Sequence, residues 1–266
     1  MNKSFLKWAG GKTQSIDFIK EVLPKKIVRF VEPFVGSGVM SLNIDADSYL
    51  LADCNQDLIN LFENIKNNGT DFIAYCQKFF IDGNNKSVYY SRRDTFNSLT
   101  FNTERAALFL YLNRHAFNGL CRYNLSGKFN VPFGKYKSVY FPDKEMLVFH
   151  KKAKKFEFLC CDFEETFNRE QKGDVFYCDP PYIPLGASSY FTSYVDKIFT
   201  FDHQKKLVAC AEASECKVLI SNHWIPQITE ELYKNGDCSH RKFINRFISA
   251  KASGRGKVEE VLVVYN

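Results

Sequence analysis

Val28-Arg-Phe-Val-Glu-Pro-Phe-Val-Gly-Ser-Gly-Val-Met-Ser-Leu-Asn-Ile-Asp-Ala-Asp-Ser-Tyr-Leu-Leu-Ala-Asp53 carries the pattern that sets the fold. Residues 28–31 are an apolar run that reads as a strand. Pro33 and the glycine turn Gly36-Ser-Gly38 stop it. A helix over 37–46 follows, then a second strand at 49–52 ending on Asp53. Strand, glycine turn, helix, strand and acid make a right-handed βαβ unit. Such a unit places ligand groups along one edge of its sheet.

The α/β pattern returns downstream. Residues 156–160 read as a strand, and Asp174-Val-Phe-Tyr-Cys178 as a buried one. A helix at 202–214 precedes a strand at 217–220, and 258–265 make the last. Residues 239–250 read as an additional strand near the sheet edge. Helices are expected at 12–22 and 143–154. Between strands two and three, helical periodicity runs in pieces from Gln56 to about Arg114. A turn-rich stretch at 115–141 follows, with strand potential at Lys128-Phe-Asn-Val131. That block is too long for an ordinary crossover and reads as an inserted domain. The expected division is therefore 1–56 with 146–266 as one domain and 57–145 as the insertion.

Composition narrows the class. Of 266 residues, 45% are apolar, enough for a substantial core, and 25% are charged. No run of eighteen apolar residues exists to span a membrane. The nine cysteines are odd in number and lack C-x-x-C or zinc spacing, so no metal site is expected. Net charge is +6, but its distribution says more. From Arg114 to Lys155, ten Lys or Arg residues face only Asp143 and Glu145. A local excess of +8 can steer phosphates to the surface, or simply be a solvated basic face.

Asp179-Pro180-Pro181-Tyr182 follows the strand at 174–178 directly. In an open α/β sheet the carboxyl ends of strands are where ligands bind. A carboxylate and a backbone carbonyl there can hold a planar amine while its ring stacks on the tyrosine. Such a site can alkylate the exocyclic nitrogen of a base or of an amide. Glu32 precedes the glycine turn, where it can attract a cation or an amino group. Gly36 and Gly38 let backbone approach a ligand closely, though the third glycine of the dinucleotide fingerprint is missing. Asp53 can accept ribose hydroxyls or cap the helix near Gln56. Gly10-Gly-Lys-Thr13 is no phosphate loop: Leu6 stands where that motif needs glycine. Phe117-Asn-Gly-Leu-Cys-Arg-Tyr-Asn-Leu-Ser-Gly-Lys-Phe-Asn-Val-Pro-Phe-Gly134 is basic and aromatic chain. Its arginine can bind guanine's two major-groove acceptors, and its aromatics can wedge between bases or fill a loop core.

Taken together, Phe5-Leu-Lys-Trp-Ala-Gly-Gly-Lys12, Glu32–Gly38, Leu112-Asn-Arg114, 117–124, 129–134 and Asp179–Tyr182 resemble, in this order, the DNA adenine methyltransferases of the Dam type. Asp-Pro-Pro-Tyr alone also resembles the motif of glutamine methyltransferases; the ordered set is far more specific. The resemblance implies a Rossmann-like class I methyltransferase sheet with an inserted, mainly helical target-recognition domain and a β-hairpin loop. It implies S-adenosylmethionine as cofactor, held by Trp8, Ala9, Gly10, Lys12, Glu32, Gly36, Gly38, Asp53, Asp162 and Phe163. Asp179, Pro180, Pro181 and Tyr182 would hold a flipped adenine. Lys7, Arg114, Phe117, Asn118, Leu120, Arg122, Pro132, Tyr136 and Lys137 would contact DNA. Lys7 would read the first guanine, Leu120, Arg122 and Pro132 the later part of GATC with Arg122 on a guanine, and Tyr136 and Lys137 would touch phosphates. Many members have tyrosine where Phe117 stands; stacking survives that change. The implied partner is double-stranded DNA containing GATC, with no membrane, metal or obligate protein partner, in the cytoplasm of a bacterial cell or phage-infected host.

Overall fold

The computed structural model describes residues 1–184, 199–245 and 257–266. Its elements are α1 Ile16–Val22, β1 Arg29–Glu32, α2 Val39–Asn43, β2 Ser48–Asp53, α3 Gln56–Gln77, α4 Lys86–Ser98 and α5 Thr103–His115. After a 3-10 turn at Phe117–Gly119 come α6 Asp143–Ala153, β3 Phe156–Cys160, α7 Phe163–Asn168 and β4 Asp174–Cys178. The chain ends with α8 Phe201–Ala213, β5 Lys217–His223, α9 Pro226–Leu232, β6 Asp237–Asn245 and β7 Lys257–Tyr265. The seven strands form one sheet in the order β3-β2-β1-β4-β5-β7-β6. β1 pairs with β2 and β4 in parallel, and β4 with β5 likewise. β7 runs antiparallel to both its neighbours. This is the expected Rossmann-like sheet, and β4, buried at all five positions, reads as such a central strand should.

The chain divides into two compact units, one of residues 1–13, 36–44 and 53–160, the other of 14–35, 45–52 and 161–266. In the first, α3 packs on α5 and α6. Leu58, Leu61, Phe62, Ile65, Phe72, Ile73 and Cys76 make the buried stripe of α3 at helical spacing. α5 is buried almost all round, from Ala106 to Asn113. Phe5, Phe62 and Phe149 form an aromatic knot, with Phe62 4.8 Å from Phe149 and Phe5 5.1 Å from Phe149. This knot ties the N-terminal segment to two helices. In the second unit, Arg29 laces β1 to β4 through a forked pair with Asp174, at 2.8 Å from Nε and 2.5 Å from Nη2. The same Nη2 also donates to the Arg169 carbonyl at 2.7 Å.

Some expected bounds shift for local reasons. α1 starts at Ile16 rather than residue 12, with Ser15 as its N-cap, and Lys12 Nζ donates to the Gly10 carbonyl in the turn before it. α2 is shorter than 37–46: Gly38 sits outside it as the N-cap at φ 67°, and Ile44 is already extended. The stretch 128–131 forms no continuous strand: Phe129 makes an isolated bridge with Tyr123, and beyond it Phe133 makes one with Ala116. Pro132 cannot donate to a ladder and breaks it. The strand expected at 239–250 is observed as β6, and residues 246–250 lie outside the described residues. α7 and α9 were not anticipated.

The aromatic knot gives a direct expectation for stability. Phe62→Ala should destabilise the protein by about 3–5 kcal/mol, the usual range for emptying a buried phenylalanine site. Urea denaturation would measure it, with Phe62→Leu losing clearly less.

Candidate active site and nucleic-acid interface

β4 delivers Asp179 at its carboxyl end, and the chain after it is held by side chains from β5, α8 and β7. Ile183 N–H donates to Asn222 Oδ1 at 3.0 Å, and Ile183 O pairs with His223 Nδ1 at 2.7 Å. Gln204 Nε2 donates to Pro181 O at 2.8 Å. Asn222 Nδ2 in turn reaches Gln204 Oε1 at 3.2 Å and the Tyr233 hydroxyl at 2.8 Å. The Tyr182 ring stands edge-on to His223 at 4.7 Å, and its hydroxyl donates to Glu260 Oε2 at 3.4 Å. Burial, then the carboxylates of Asp179 and Glu260, raise the Tyr182 phenol well above its ordinary range. Burial also raises Tyr177, with Asp179, Glu32 and Glu260 adding to it. Negative charge therefore gathers around this turn, an environment suited to an amino group or a cation. Pro181, Tyr182, Ile183, Phe199 and Gln204 line an apolar recess beside it.

Two expected cofactor residues of this unit have visible local duties. Asp162 is exposed and caps α7 by accepting the Glu164 N–H at 3.2 Å. Phe163 is buried, stacked on Phe34 at 5.6 Å and against Phe199 at 5.8 Å. Glu32 is buried at the end of β1.

The other unit holds Trp8, Ala9, Gly10, Lys12, Gly36, Gly38 and Asp53. Asp53 Oδ2 accepts the Gly36 N–H at 3.1 Å and Oδ1 the Asn55 N–H at 2.9 Å. One lone pair on each oxygen is left for hydroxyls of a ligand. Burial raises the Asp53 carboxyl, and the two backbone donors pull it back. Gly36 has φ 47°, and a Cβ there would meet Trp8 Nε1 at 2.8 Å. Only glycine lets the indole lie against this turn. A carboxylate with acceptor capacity to spare thus lies at the same turn as a flat indole.

The stretch 113–137 is braced against Lys7. Asn113 Oδ1 accepts the Lys7 N–H at 2.9 Å, and Asn113 Nδ2 donates to Lys7 O at 2.7 Å. Lys7 Nζ donates to Arg114 O at 3.1 Å and stands 3.8 Å over the Tyr136 ring. Burial, then the Arg114 charge, lower the Lys7 pKa to about 8. A Cβ on Gly119, at φ 64°, would fall 2.3 Å from Lys7 Cβ, so the Phe117–Gly119 turn closes onto Lys7 only with glycine there. Phe117 remains 49% exposed and Asn118 holds φ 54°. Arg114 Nη2 donates to Tyr140 O, and the Tyr136 hydroxyl to Ala116 O at 3.0 Å, so the latter group is engaged within the chain. Leu120 is half-buried; Arg122, Pro132 and Lys137 are exposed. Arg122 Nε donates to Asn130 Oδ1 at 2.8 Å, which fixes the guanidinium plane and leaves its two terminal nitrogens forward. Asn124 Oδ1 accepts the N–H groups of Ser126 and Lys128, closing a tight tip at Leu125, 94% exposed.

Residues 8–247 match the model of the D12 class N6 adenine-specific DNA methyltransferases. The chain belongs to this family. It is 44% identical to the DNA adenine methylase of Haemophilus influenzae, over 99% of this chain and 94% of that protein. The same identity relates it to the DNA adenine methylases of Serratia marcescens, covering 98% of that protein, and of Escherichia coli K12, covering 95%. A solved structure, precorrin-8w decarboxylase of Methanobacterium thermoautotrophicum, superposes at TM-score 0.40 and 11% identity over 97% of this chain and 93% of its own. Family membership rests on the sequence relatives, not on that superposition.

As a member of the D12 class, the protein is an adenine-specific DNA methyltransferase: it places a methyl group on N6 of adenine in DNA. Among the described residues no group of His, Cys, Asp and Glu is arranged to hold a metal, and no helix is long and apolar enough to cross a membrane. Asn222, His223, Gln204 and Asn55 escaped the sequence reading, and Asn113 and Asn130, though inside quoted motifs, had no role assigned there. Ser221-Asn222-His223 had a usable signal, being polar chain at the carboxyl end of an apolar strand, like Asp179. Gln204 had none.

Asn222→Ala should loosen the 179–183 turn. It should cost about 1–3 kcal/mol of stability, since buried donors lose their partner. It should lower kcat about tenfold or more with a smaller change in KM, because alignment rather than binding suffers. Steady-state kinetics beside urea denaturation checks both. His115 gives a pH expectation. Its Nδ1 pairs with Tyr111 O at 2.8 Å, and burial, with Arg92, Lys7 and Arg114 nearby, lowers its pKa to about 4. The unfolded chain then takes up the proton first, at about 6.5. Stability is held above pH 6.5 and lost as pH falls toward 4, by up to about 1.4 kcal/mol per pH unit. His115→Gln should flatten that part of the stability–pH curve.

Proposed function

We propose that this methyltransferase uses S-adenosylmethionine to methylate adenine N6 within GATC of double-stranded DNA, after the adenine has turned out of the helix. What carries this reading is the turn after β4: an acid and two prolines followed by a tyrosine, its backbone clamped by Asn222, His223 and Gln204. The named relatives, all DNA adenine methylases, support it. On this reading residues 1–56 and 146–266 form the catalytic domain and 57–145 the target-recognition domain, and the protein works in the cytoplasm of a bacterial cell.

Adenine's amino lone pair is delocalised into the ring, so the nitrogen must be reshaped before it attacks. Asp179 would accept one amino hydrogen and the Pro180 carbonyl the other. The Pro181 carbonyl is already committed to Gln204. Tyr182 would stack on the ring. The gathered carboxylates would stabilise the positive charge that develops on nitrogen, and the proton would then leave to Asp179 or solvent. Turning the base out costs a few kcal/mol. Stacking by Phe117, typically ~1–3 kcal/mol, offsets part of it. When bound, S-adenosylmethionine supplies an electrophilic sulfonium methyl. Asp53 would hold its ribose hydroxyls, Trp8 and Gly36 would flank it, and Glu32, Lys12, Asp162 and Phe163 would complete its binding set.

DNA from cells expressing the protein, sequenced for methylated adenine, should show modification confined to GATC. Asp179→Ala should abolish it while leaving much of the DNA binding intact. Arg122→Ala should relax discrimination at one guanine, by ~1–3 kcal/mol for a forked contact. Methylation spread over unrelated sequences by the unaltered enzyme would refute the GATC assignment.

A further inference from the structure

Asp57 and Arg105 form an ion pair inside the helical unit that the chemistry above does not use. Arg105 Nε lies 2.6 Å from Asp57 Oδ1 and Nη2 3.1 Å from Oδ2, with 10% and 5% of the side chains exposed. Arg105 Nη1 also donates to Phe96 O and Leu99 O, both at 2.7 Å, at the end of α4. Burying such a pair is a poor route to stability; its best-attested use is to fix register. Here one further group joins it: the Tyr123 hydroxyl donates to Asp57 Oδ2 at 2.7 Å. Asn55 adds a parallel tie. Its Oδ1 caps α3, and its Nδ2 reaches Cys121 Sγ at 3.5 Å. The Tyr123 ring stands edge-on to buried Phe129 at 5.8 Å, and Asn97 holds both the N–H and the carbonyl of Phe129.

Neighbouring side chains of extended backbone face opposite ways. Cys121 and Tyr123 are half-buried, and Arg122 between them is exposed. A slip of one residue would exchange the two faces. Asn130 fixes the plane of the Arg122 guanidinium, and its N–H pairs with the Arg122 carbonyl at 3.1 Å; those bonds set one arm of the hairpin against the other, whereas the Tyr123 hydroxyl ties the hairpin to α3. We propose that Asp57, locked by Arg105, is the seat of a register pin: Tyr123 hooks onto it and so sets the face from which Arg122 meets the DNA, which makes Tyr123 a positioning residue for sequence discrimination. This rests on the reading above that Arg122 contacts a guanine.

Tyr123→Phe removes the hook and keeps the ring on Phe129. The test compares kcat/KM on GATC and on a duplex altered at the last base pair, for the unaltered enzyme, Tyr123→Phe, Arg122→Ala and the double variant. Tyr123→Phe should lower the ratio of the two about tenfold, chiefly through KM on GATC, with cofactor affinity by calorimetry unchanged. The double variant should discriminate no worse than Arg122→Ala alone, because the hook acts through the arginine. A merely structural role would lower both rates alike, and that result overturns the proposal. So does a ratio that Tyr123→Phe leaves intact, or losses that multiply in the double variant. If Arg122→Ala itself keeps the ratio, the guanine reading fails and takes the pin with it, whereas the other results reject the pin alone.

Discussion

Asn222 Oδ1 takes the N–H groups of Ile183 and His223, while its Nδ2 meets Gln204 and Tyr233. Much of the second unit is arranged around that one amide. Ile183 is buried, so its N–H and carbonyl have no water to satisfy them and must find protein partners. A neutral amide supplies both donors and acceptors without adding charge to a turn already ringed by carboxylates. A carboxylate at the same place would raise the cost of ionising Asp179. Rigidity here is therefore obtained with dipoles, and the net charge is left to Asp179, Glu32 and Glu260.

The legible part of the molecule is the part governed by short-range rules. β1, β2, β3, β4, β5 and β7 follow from apolar runs ended by turn residues, and the parallel order follows from strands alternating with helices. Asp53 and Asp179 were readable because each is an acid at the carboxyl end of a strand. What escaped needs distance. Asn113 meets Lys7 across more than a hundred residues of sequence, and Gln204 meets Pro181 from a different helix. An asparagine in a helix has no local mark that separates a solvated side chain from a clamp. The helix expected at 12–22 begins only at Ile16, after the cap Ser15, because apolar periodicity marks a face and not a first residue.

The stretch 115–134 is ordered by backbone bonds and by its polar side chains together. Backbone bonds such as Asn130 N–H to Arg122 O join its two arms, and side chains of Asn124, Asn130, Asn97 and Tyr123 add further bonds. Such a hairpin keeps its outer face free of structural duties, which suits a surface that must match a base sequence. The exposed Leu125 at its tip and half-exposed Phe117 at its root are apolar groups placed where solvent would not favour them.

Lys7 adds a thermodynamic consequence. With its pKa near 8, the side chain is only partly charged in mildly alkaline solution. On the proposed reading it meets guanine acceptors and neighbouring phosphates, whose field restores the ammonium. Complex formation then draws a proton from the solvent, so the heat of association depends on which buffer gives that proton up, and affinity weakens as alkalinity rises.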